Sequence, residues 1–151
     1  MSVASPADPV VSMRRIEGEV LRLLRRVRHQ ALTNARLVHP DLQAAGYAVF
    51  LYILENEPAR ASDAVEALGM DKGAVSRQVH HLEELGLVSS TDDPDDRRAH
   101  RLVLSEQGRA RVSVLRERRR QEFESRLSGW SPEGLEVFAE KLAEYNASFE
   151  S

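Results

Sequence analysis

The sequence predicts a mostly α-helical protein with one small β-hairpin, and three observations support this fold class. Apolar residues recur at steps of three and four over most of the chain, which is the period of a helix with one buried face. Two strand-like runs, residues 87–91 and 100–104, enclose a charged turn. Glycine, proline, serine and aspartate stand where the periodic segments begin and end, as helix caps and turns require.

Composition sets the outer limits. The 151 residues are 42% hydrophobic and carry a formal net charge of −3, which fits one domain with extensions and excludes a generally basic protein. Because the chain has no cysteine, disulfides, thiolate metal sites and thiol redox sensing are excluded. The longest uncharged run, residues 42–54, is too short to cross a bilayer, and residues 1–9 lack the apolar core of a signal peptide. The expected location is the cytoplasm.

The N-terminal part predicts two helices. Residues 1–10 are small and interrupted by proline, and we expect them to be disordered. Residues 11–38 predict one long amphipathic helix. Its apolar face consists of Ile16, Val20, Leu23, Leu24, Val27 and Ala31. Pro40 ends this helix, and a second helix over residues 42–56 ends before Pro58.

Residues 61–104 contain two further short helices before the hairpin. The first covers residues 63–68 and ends in a turn at Gly69, and Asp71 can cap the second. Gly86 ends that second helix because glycine adopts the left-handed conformation at low cost. Two helices, a tight turn and a charged hairpin in this order predict a winged helix-turn-helix unit. Such a unit places its second helix in the major groove of DNA and its hairpin beside it.

The two faces of that second helix differ. At about 100° per residue, its apolar residues cluster on one side: Val75, Val79 and Leu82. The opposite side offers small, hydroxyl, guanidinium and imidazole groups: Gly73, Ser76, Arg77 and His80. All are compatible with close approach to base edges and phosphates. An ordinary solvent-exposed helix face is the alternative.

The C-terminal part predicts two more helices. One opens at Ser105 and ends near Gly129, and the other begins at Ser131 and Pro132, which favour a helix start. The last helix carries a narrow apolar seam, suited to packing against another helix. We call this the C-terminal seam: Leu135, Phe138, Leu142, Tyr145 and Phe149.

The predicted architecture is therefore a winged helix-turn-helix domain at 41–104 between an N-terminal dimerisation helix at 11–38 and C-terminal helices at 105–151 that complete the dimerisation region. A helix-turn-helix protein that reads a palindrome needs a two-fold partner, with half-sites about 34 Å apart. A monomeric helical bundle around a small sheet is the open alternative.

The order and spacing of several motifs resemble the MarR family of bacterial transcription regulators. The matching segments are Leu68-Gly69-Met70-Asp71-Lys72, Val75-Ser76-Arg77, Leu82-Glu83-Glu84-Leu85-Gly86-Leu87-Val88, Asp93-Pro94-Asp95-Asp96-Arg97-Arg98-Ala99 and Leu102-Val103-Leu104-Ser105-Glu106-Gln107-Gly108. The resemblance implies a homodimeric, cytoplasmic, DNA-binding transcriptional regulator. We expect a repressor that binds a palindromic operator in double-stranded DNA.

The expected DNA contacts fall on the second helix and on the hairpin. In the major groove we expect Gly73, Ser76, Arg77 and His80 at base edges, with Lys72 and His81 at the flanking phosphates. At the hairpin tip we expect Arg98 to enter the minor groove, with Asp96 orienting it and Arg97 assisting.

The resemblance also implies a small-molecule pocket between the dimer helices and the winged unit. Phenolic or other aromatic acids are the usual effectors of the family. We take His29 and Tyr47 as candidate ligand-binding residues, the alternative being that both serve packing or the surface.

Two other classes of function remain open. The chain has Gly73 and Ala74 where the family usually has hydroxyl residues, and residues 60–101 contain six basic and nine acidic residues, a net charge of −3. A nucleic-acid module is normally basic. These departures favour a protein-binding adaptor that kept the winged fold and lost DNA affinity.

The other alternative is an enzyme or a small-molecule binding protein without DNA function. The sequence shows no phosphate-binding loop and no recognisable nucleophile motif. Adjacent His80 and His81 point about 100° apart and chelate one ion poorly, and the aspartates at 92–96 lack the spacing of a calcium loop. We therefore expect no catalysis, no metal and no cofactor.

Overall fold

The structure is a computed structural model that describes residues 8–96 and 98–149. Within them the N-terminal elements are α1 (Pro9–Val38), α2 (Ala44–Glu55), β1 (Ala59–Arg60), α3 (Ala61–Leu68) and α4 (Lys72–Glu84). The remaining elements are β2 (Val88–Asp92), β3 (His100–Leu104), α5 (Glu106–Leu127) and α6 (Pro132–Ala147). The predicted fold class, mostly α-helical with a small hairpin wing, is confirmed. The chain divides into two compact units, one up to Val112 and one from Ser113 onward.

The helix caps explain most of the boundaries. Asp8 accepts a hydrogen bond from the Val10 N–H at 2.9 Å and starts α1, so Pro9 and Val10 are helical. This corrects the last residues of the predicted disordered segment 1–10, whose residues 1–7 lie outside the described part of the chain. Asp71 caps α4 by accepting from the Ala74 N–H at 2.8 Å, and Ser131 caps α6 through the Gly134 N–H at 3.1 Å. Both of these predicted caps are confirmed.

The sheet has three antiparallel strands in the order β1, β3, β2. In the hairpin, Val88 pairs with Leu104 and Asp92 with His100. The sequence did not predict β1, which pairs Ala59 with Leu102. A two-residue strand is too short to show alternation, and it leads directly into α3, which therefore starts earlier than the predicted residue 63. β2 is also displaced by one residue from the predicted run at 87–91.

The core of the first unit joins α2, α4 and the sheet. Its fully buried large side chains are Val38, Leu42, Val49, Phe50, Ile53, Val75, Leu82 and Leu87. Burying each such side chain contributes about 1.5–3 kcal/mol to stability. Gly86 has φ of +72° and turns the chain from α4 into β2, as predicted. This packing fixes which face of α4 points outward.

Candidate nucleic-acid interface

The inner face of α4 is anchored in the core and its outer face is open. Val75 and Leu82 are 1% and 0% exposed, and Val79 is also buried. The predicted division of the helix into two faces is confirmed, because the four expected base-contacting residues are exposed: Gly73, Ser76, Arg77 and His80. From Lys72 to Leu82 the helix contains no carboxylate.

The charged side chains near the two ends of α4 differ in their ion-pair partners. The described part of the chain shows no ion pair for Lys72 or Arg77. Glu84 lies 3.3 Å from Nε2 of His80 and 3.8 Å from Nδ1 of His81, and each contact becomes an ion pair when the imidazole is protonated. Nε2 of His81 also lies 3.3 Å from the backbone oxygen of Asp41. The acid at the end of α4 is therefore directed at histidines of its own helix.

The wing is built around one buried carboxylate. Nε of Arg60 donates to Oδ2 of Asp93 at 2.8 Å, and Nη2 of Arg60 forms an ion pair with the same oxygen at 2.7 Å. The Asp95 N–H donates to Oδ1 of Asp93 at 2.9 Å. Nε of Arg101 lies 3.3 Å from the same Oδ2, without the alignment of a hydrogen bond. The Asp95 N–H, together with the guanidinium groups of Arg101 and Arg60, lowers the pKa of Asp93 to about 2 against the cost of desolvation.

This network also pairs a second acid of the wing. Nη2 of Arg101 pairs with the Asp95 carboxylate at 3.1 Å, so two acids and two arginines satisfy one another. The Asp71 carboxylate is used as a helix cap. These pairs remove two acids and two arginines alike, so the net charge of −3 over residues 60–101 is unchanged, although the segment from Lys72 to Leu82 itself contains no carboxylate.

At the tip of the wing the structure corrects one expected contact. Oδ1 of Asp96 accepts a hydrogen bond from the backbone N–H of Arg98 at 2.9 Å. The expectation that Asp96 orients the guanidinium fork of Arg98 is therefore wrong in its contact: a short aspartate side chain reaches the backbone two residues on and forms a turn. Arg98 is exposed, and Arg97 lies outside the described residues.

A cleft of about 720 Å³ separates α4 from the wing. Its floor is apolar, formed by Val65, Val75, Val79 and Leu102. Its polar lining consists of cations, hydroxyl groups, one imidazole and one carboxylate: Arg60, Lys72, Arg98, Ser62, Ser76, Ser90, His100 and Glu83. The cleft brings together the predicted residues Lys72, Ser76 and Arg98. Sequence reasoning missed Arg60, Ser62 and Ser90, since the strand pairings that place Arg60 and Ser90 beside α4 have no local signal.

The two candidate ligand residues lie in different environments. Tyr47 is 6% exposed on the buried side of α2, whereas His29 is exposed on α1. Neither lines the cleft between α4 and the wing. Their role in ligand binding stays a prediction.

The described residues show neither a metal-ligand cluster nor a membrane-spanning helix. Among the described residues no group of three or more histidine, aspartate or glutamate side chains is placed to hold a metal ion. No helix in this part of the chain is both long and apolar enough to cross a bilayer.

The fold and this surface define a winged helix-turn-helix protein, and comparison with known proteins shows which family it is similar to. Residues 41–99 match the model of the MarR family. The chain is 27% identical over 134 residues to the uncharacterized HTH-type transcriptional regulator YxaD of Bacillus subtilis, covering 89% of this chain and 92% of that protein. Over residues 41–99, and with lower identity over most of its length, the chain is similar to the MarR family of helix-turn-helix transcriptional regulators.

Two further similarities add detail. The chain is 26% identical over 102 residues to the HTH-type transcriptional repressor NicR of Pseudomonas putida, covering 66% of this chain and 65% of NicR. The crystal structure of Streptococcus pneumoniae FabT in complex with DNA has the same fold, with a TM-score of 0.71 at 20% identity, covering 91% of this chain and 97% of FabT.

Proposed function

We propose that this protein is a homodimeric, cytoplasmic repressor that binds a palindromic DNA operator. The observation that supports this proposal best is the outer face of α4. It is exposed, is free of carboxylates between Lys72 and Leu82, and carries two cations, Arg77 and Lys72, of which Lys72 lines the cleft. In this arrangement Arg77, Ser76 and His80 meet base edges, and Lys72 and His81 meet phosphates.

The cleft fits the phosphate backbone that separates two grooves. A helix in the major groove and a hairpin in the next minor groove have one sugar-phosphate strand between them. The rim of the cleft offers Lys72 and Arg98 as cations and the hydroxyls of Ser62 and Ser90 as neutral donors. These are the groups that contact phosphate oxygens in DNA complexes. The wing would then place Arg98, assisted by Arg97, in the minor groove.

The dimer is proposed from apolar surface on the terminal helices. Large apolar side chains of α1 are 37–60% exposed: Val10, Val11, Met13, Ile16, Leu21, Leu23, Leu24, Val27 and Leu32. Four residues of the C-terminal seam, Phe138, Leu142, Tyr145 and Phe149, are 43–73% exposed. Exposed apolar surface of this extent marks an interaction site. A second copy of this chain is its proposed occupant, because DNA half-sites related by a two-fold axis need one.

Repression and its relief are proposed from relatives. NicR is named a repressor and is similar over about two thirds of this chain. A small phenolic or aromatic acid that binds between the dimer helices and the winged unit, near His29 and Tyr47, would release the operator. The adaptor alternative, which the net charge of −3 over residues 60–101 favours, predicts no salt-dependent binding to any duplex.

Two substitutions on α4 test the proposal. Arg77→Ala should weaken binding to a selected specific duplex by about 5- to 150-fold, which corresponds to about 1–3 kcal/mol for a base contact. Lys72→Ala should weaken all duplexes about equally and lower the salt slope by about one, because it removes one phosphate contact. Fluorescence anisotropy over a salt series measures both.

Lys141→Ala is the charge-matched control, since it removes a lysine of α6 that is paired with Glu144. If Arg77→Ala binds the specific duplex as tightly as the unaltered protein, α4 does not read bases. If the unaltered protein shows no sequence preference at any salt concentration, the proposed function is wrong.

A further inference from the structure

Gly73 leaves a space at the start of α4 that the side chain of Arg77 occupies. A β-carbon built on Gly73 would lie 3.3 Å from Nη1 of Arg77 and 3.2 Å from Oδ1 of Asp71. Residues four apart share a helix face, so the guanidinium extends back over the first turn of the helix. Its position therefore depends on the absence of a side chain at residue 73.

This arrangement does not serve stability. Gly73 is the second residue of α4, and glycine favours a helix less than alanine does. A cation above the first turn also faces the positive end of the helix dipole. The one nearby carboxylate, on Asp71, accepts from the Ala74 N–H. Neither the glycine nor the cation stabilises the start of α4. The role of this pair therefore lies in what the cation binds.

We propose that Gly73 is a specificity-determining residue that positions the guanidinium of Arg77 for bidentate recognition of one guanine. The inference rests on the proposed DNA-binding function and adds the base that is read. Because residue 73 has no side chain, the guanidinium of Arg77 lies against the first turn of α4 and faces the O6 and N7 acceptors of a guanine in the major groove. A side chain at 73 moves the guanidinium by a few tenths of an ångström or more, which disturbs both hydrogen bonds while the fold persists.

The test is a double-mutant cycle on a selected specific duplex. Gly73→Ala should lower affinity by about tenfold, and Gly73→Ala combined with Arg77→Ala should be no weaker than Arg77→Ala alone, because the glycine acts through the arginine. Replacing each guanine in turn by 7-deazaguanine, which lacks N7, should weaken the unaltered protein at one guanine per half-site. That sensitivity should be lost in Gly73→Ala.

Gly18→Ala is the matched control, since Gly18 is also helical and a β-carbon there would meet no atom within 4 Å. It should bind DNA like the unaltered protein. An undiminished effect of Gly73→Ala in the Arg77→Ala background, or unchanged 7-deazaguanine sensitivity, would overturn the proposal.

A measurement without DNA separates this inference from the proposed function. In the free protein, Gly73→Ala should shift the Arg77 Nε–H signal in an NMR spectrum, and Gly18→Ala should leave it in place. If Gly73→Ala does not move this signal, Gly73 does not position the guanidinium of Arg77, whatever the protein binds. If the signal moves but no duplex is preferred, the DNA-binding function fails and the role in specificity fails with it.

Discussion

The winged unit and the terminal helices use the same helical periodicity in opposite ways. In the winged unit, the periodic apolar residues are buried within the chain, as Phe50 and Leu82 show with no exposed surface. On the terminal helices, residues of the same kind remain open, with Leu23 58% and Phe149 73% exposed. The comparison teaches that periodicity predicts that a face will be covered but not which molecule covers it. The winged unit completes its own core, whereas the apolar faces of the terminal helices stay exposed in the single chain, which is why we propose a partner for them.

The largest expected effect comes from disrupting the proposed dimer contact of the terminal helices. Leu142→Glu places a charge in the middle of the C-terminal seam, where the side chain is 45% exposed in the single chain. If a second copy covers this seam, the dimer loses apolar burial worth about 1.5–3 kcal/mol at each of two related positions and gains two unpaired charges. Dimer dissociation should increase by at least about 100-fold. Sedimentation over a concentration series measures this change.

The control for this substitution is Glu140→Gln, on the same helix and outside the seam. It should leave the assembly unchanged. Removing the chain after Gly129 should act like Leu142→Glu and give monomers or insoluble protein. A Leu142→Glu protein that stays dimeric at the concentrations of the unaltered protein would show that the seam is not the interface.

A smaller effect is expected inside the winged unit, at Asp93. Asp93→Asn removes the carboxylate that joins Arg60 and Arg101, and should lower the melting temperature by roughly a few degrees. The folded protein holds the pKa of Asp93 at about 2, below its ordinary value of 3.8. Its stabilising contribution is therefore complete above about pH 4 and disappears as the pH falls toward about 2.

The difference in stability between Asp93→Asn and the unaltered protein should therefore shrink between about pH 4 and pH 2. Urea unfolding at a series of pH values measures it. Asp92→Asn is the control, because its side chain is 91% exposed, and it should cause little change. A difference that stays constant down to pH 2 would argue against the buried ion pairs.

Sequence alone was sufficient for elements whose signals are local. The caps at Asp71 and Ser131, the turn at Gly86 and the two faces of α4 depend on neighbours within a few residues. The missed features depend on distant partners. Arg60 and Asp93 are 33 residues apart, and nothing in the run of wing aspartates distinguishes Asp93 from Asp92. Only the pairing of β1 with β3 makes Asp93 buried and leaves Asp92 exposed.

The expected site residues divide in the same way. Exposure of the outer face of α4 follows from helix geometry and was predictable. The contact of Asp96 was misjudged because an aspartate two residues before Arg98 can reach either its backbone or its side chain, and the sequence does not distinguish these partners. Whether His29 and Tyr47 serve a ligand depends on an assembly that periodicity cannot describe, so that prediction stands untested.

The smallest expected effect sharpens the comparison within the winged unit, where Asp96 shapes the wing tip without contributing to the core. Asp96→Ala removes the hydrogen bond to the Arg98 N–H and should loosen the tip that presents this arginine to the minor groove. We expect DNA affinity to fall by about two- to fivefold, with the dimer and melting temperature nearly unchanged. Asparagine supports the same turn, so Asp96→Asn should bind at least as tightly as the unaltered protein. Asp92→Ala, which removes an exposed acid from the end of β2 nearest the turn, controls for net charge. Tighter binding by both alanine variants, measured at one fixed salt concentration, would mean that charge alone matters and that the turn at Asp96 does not position Arg98.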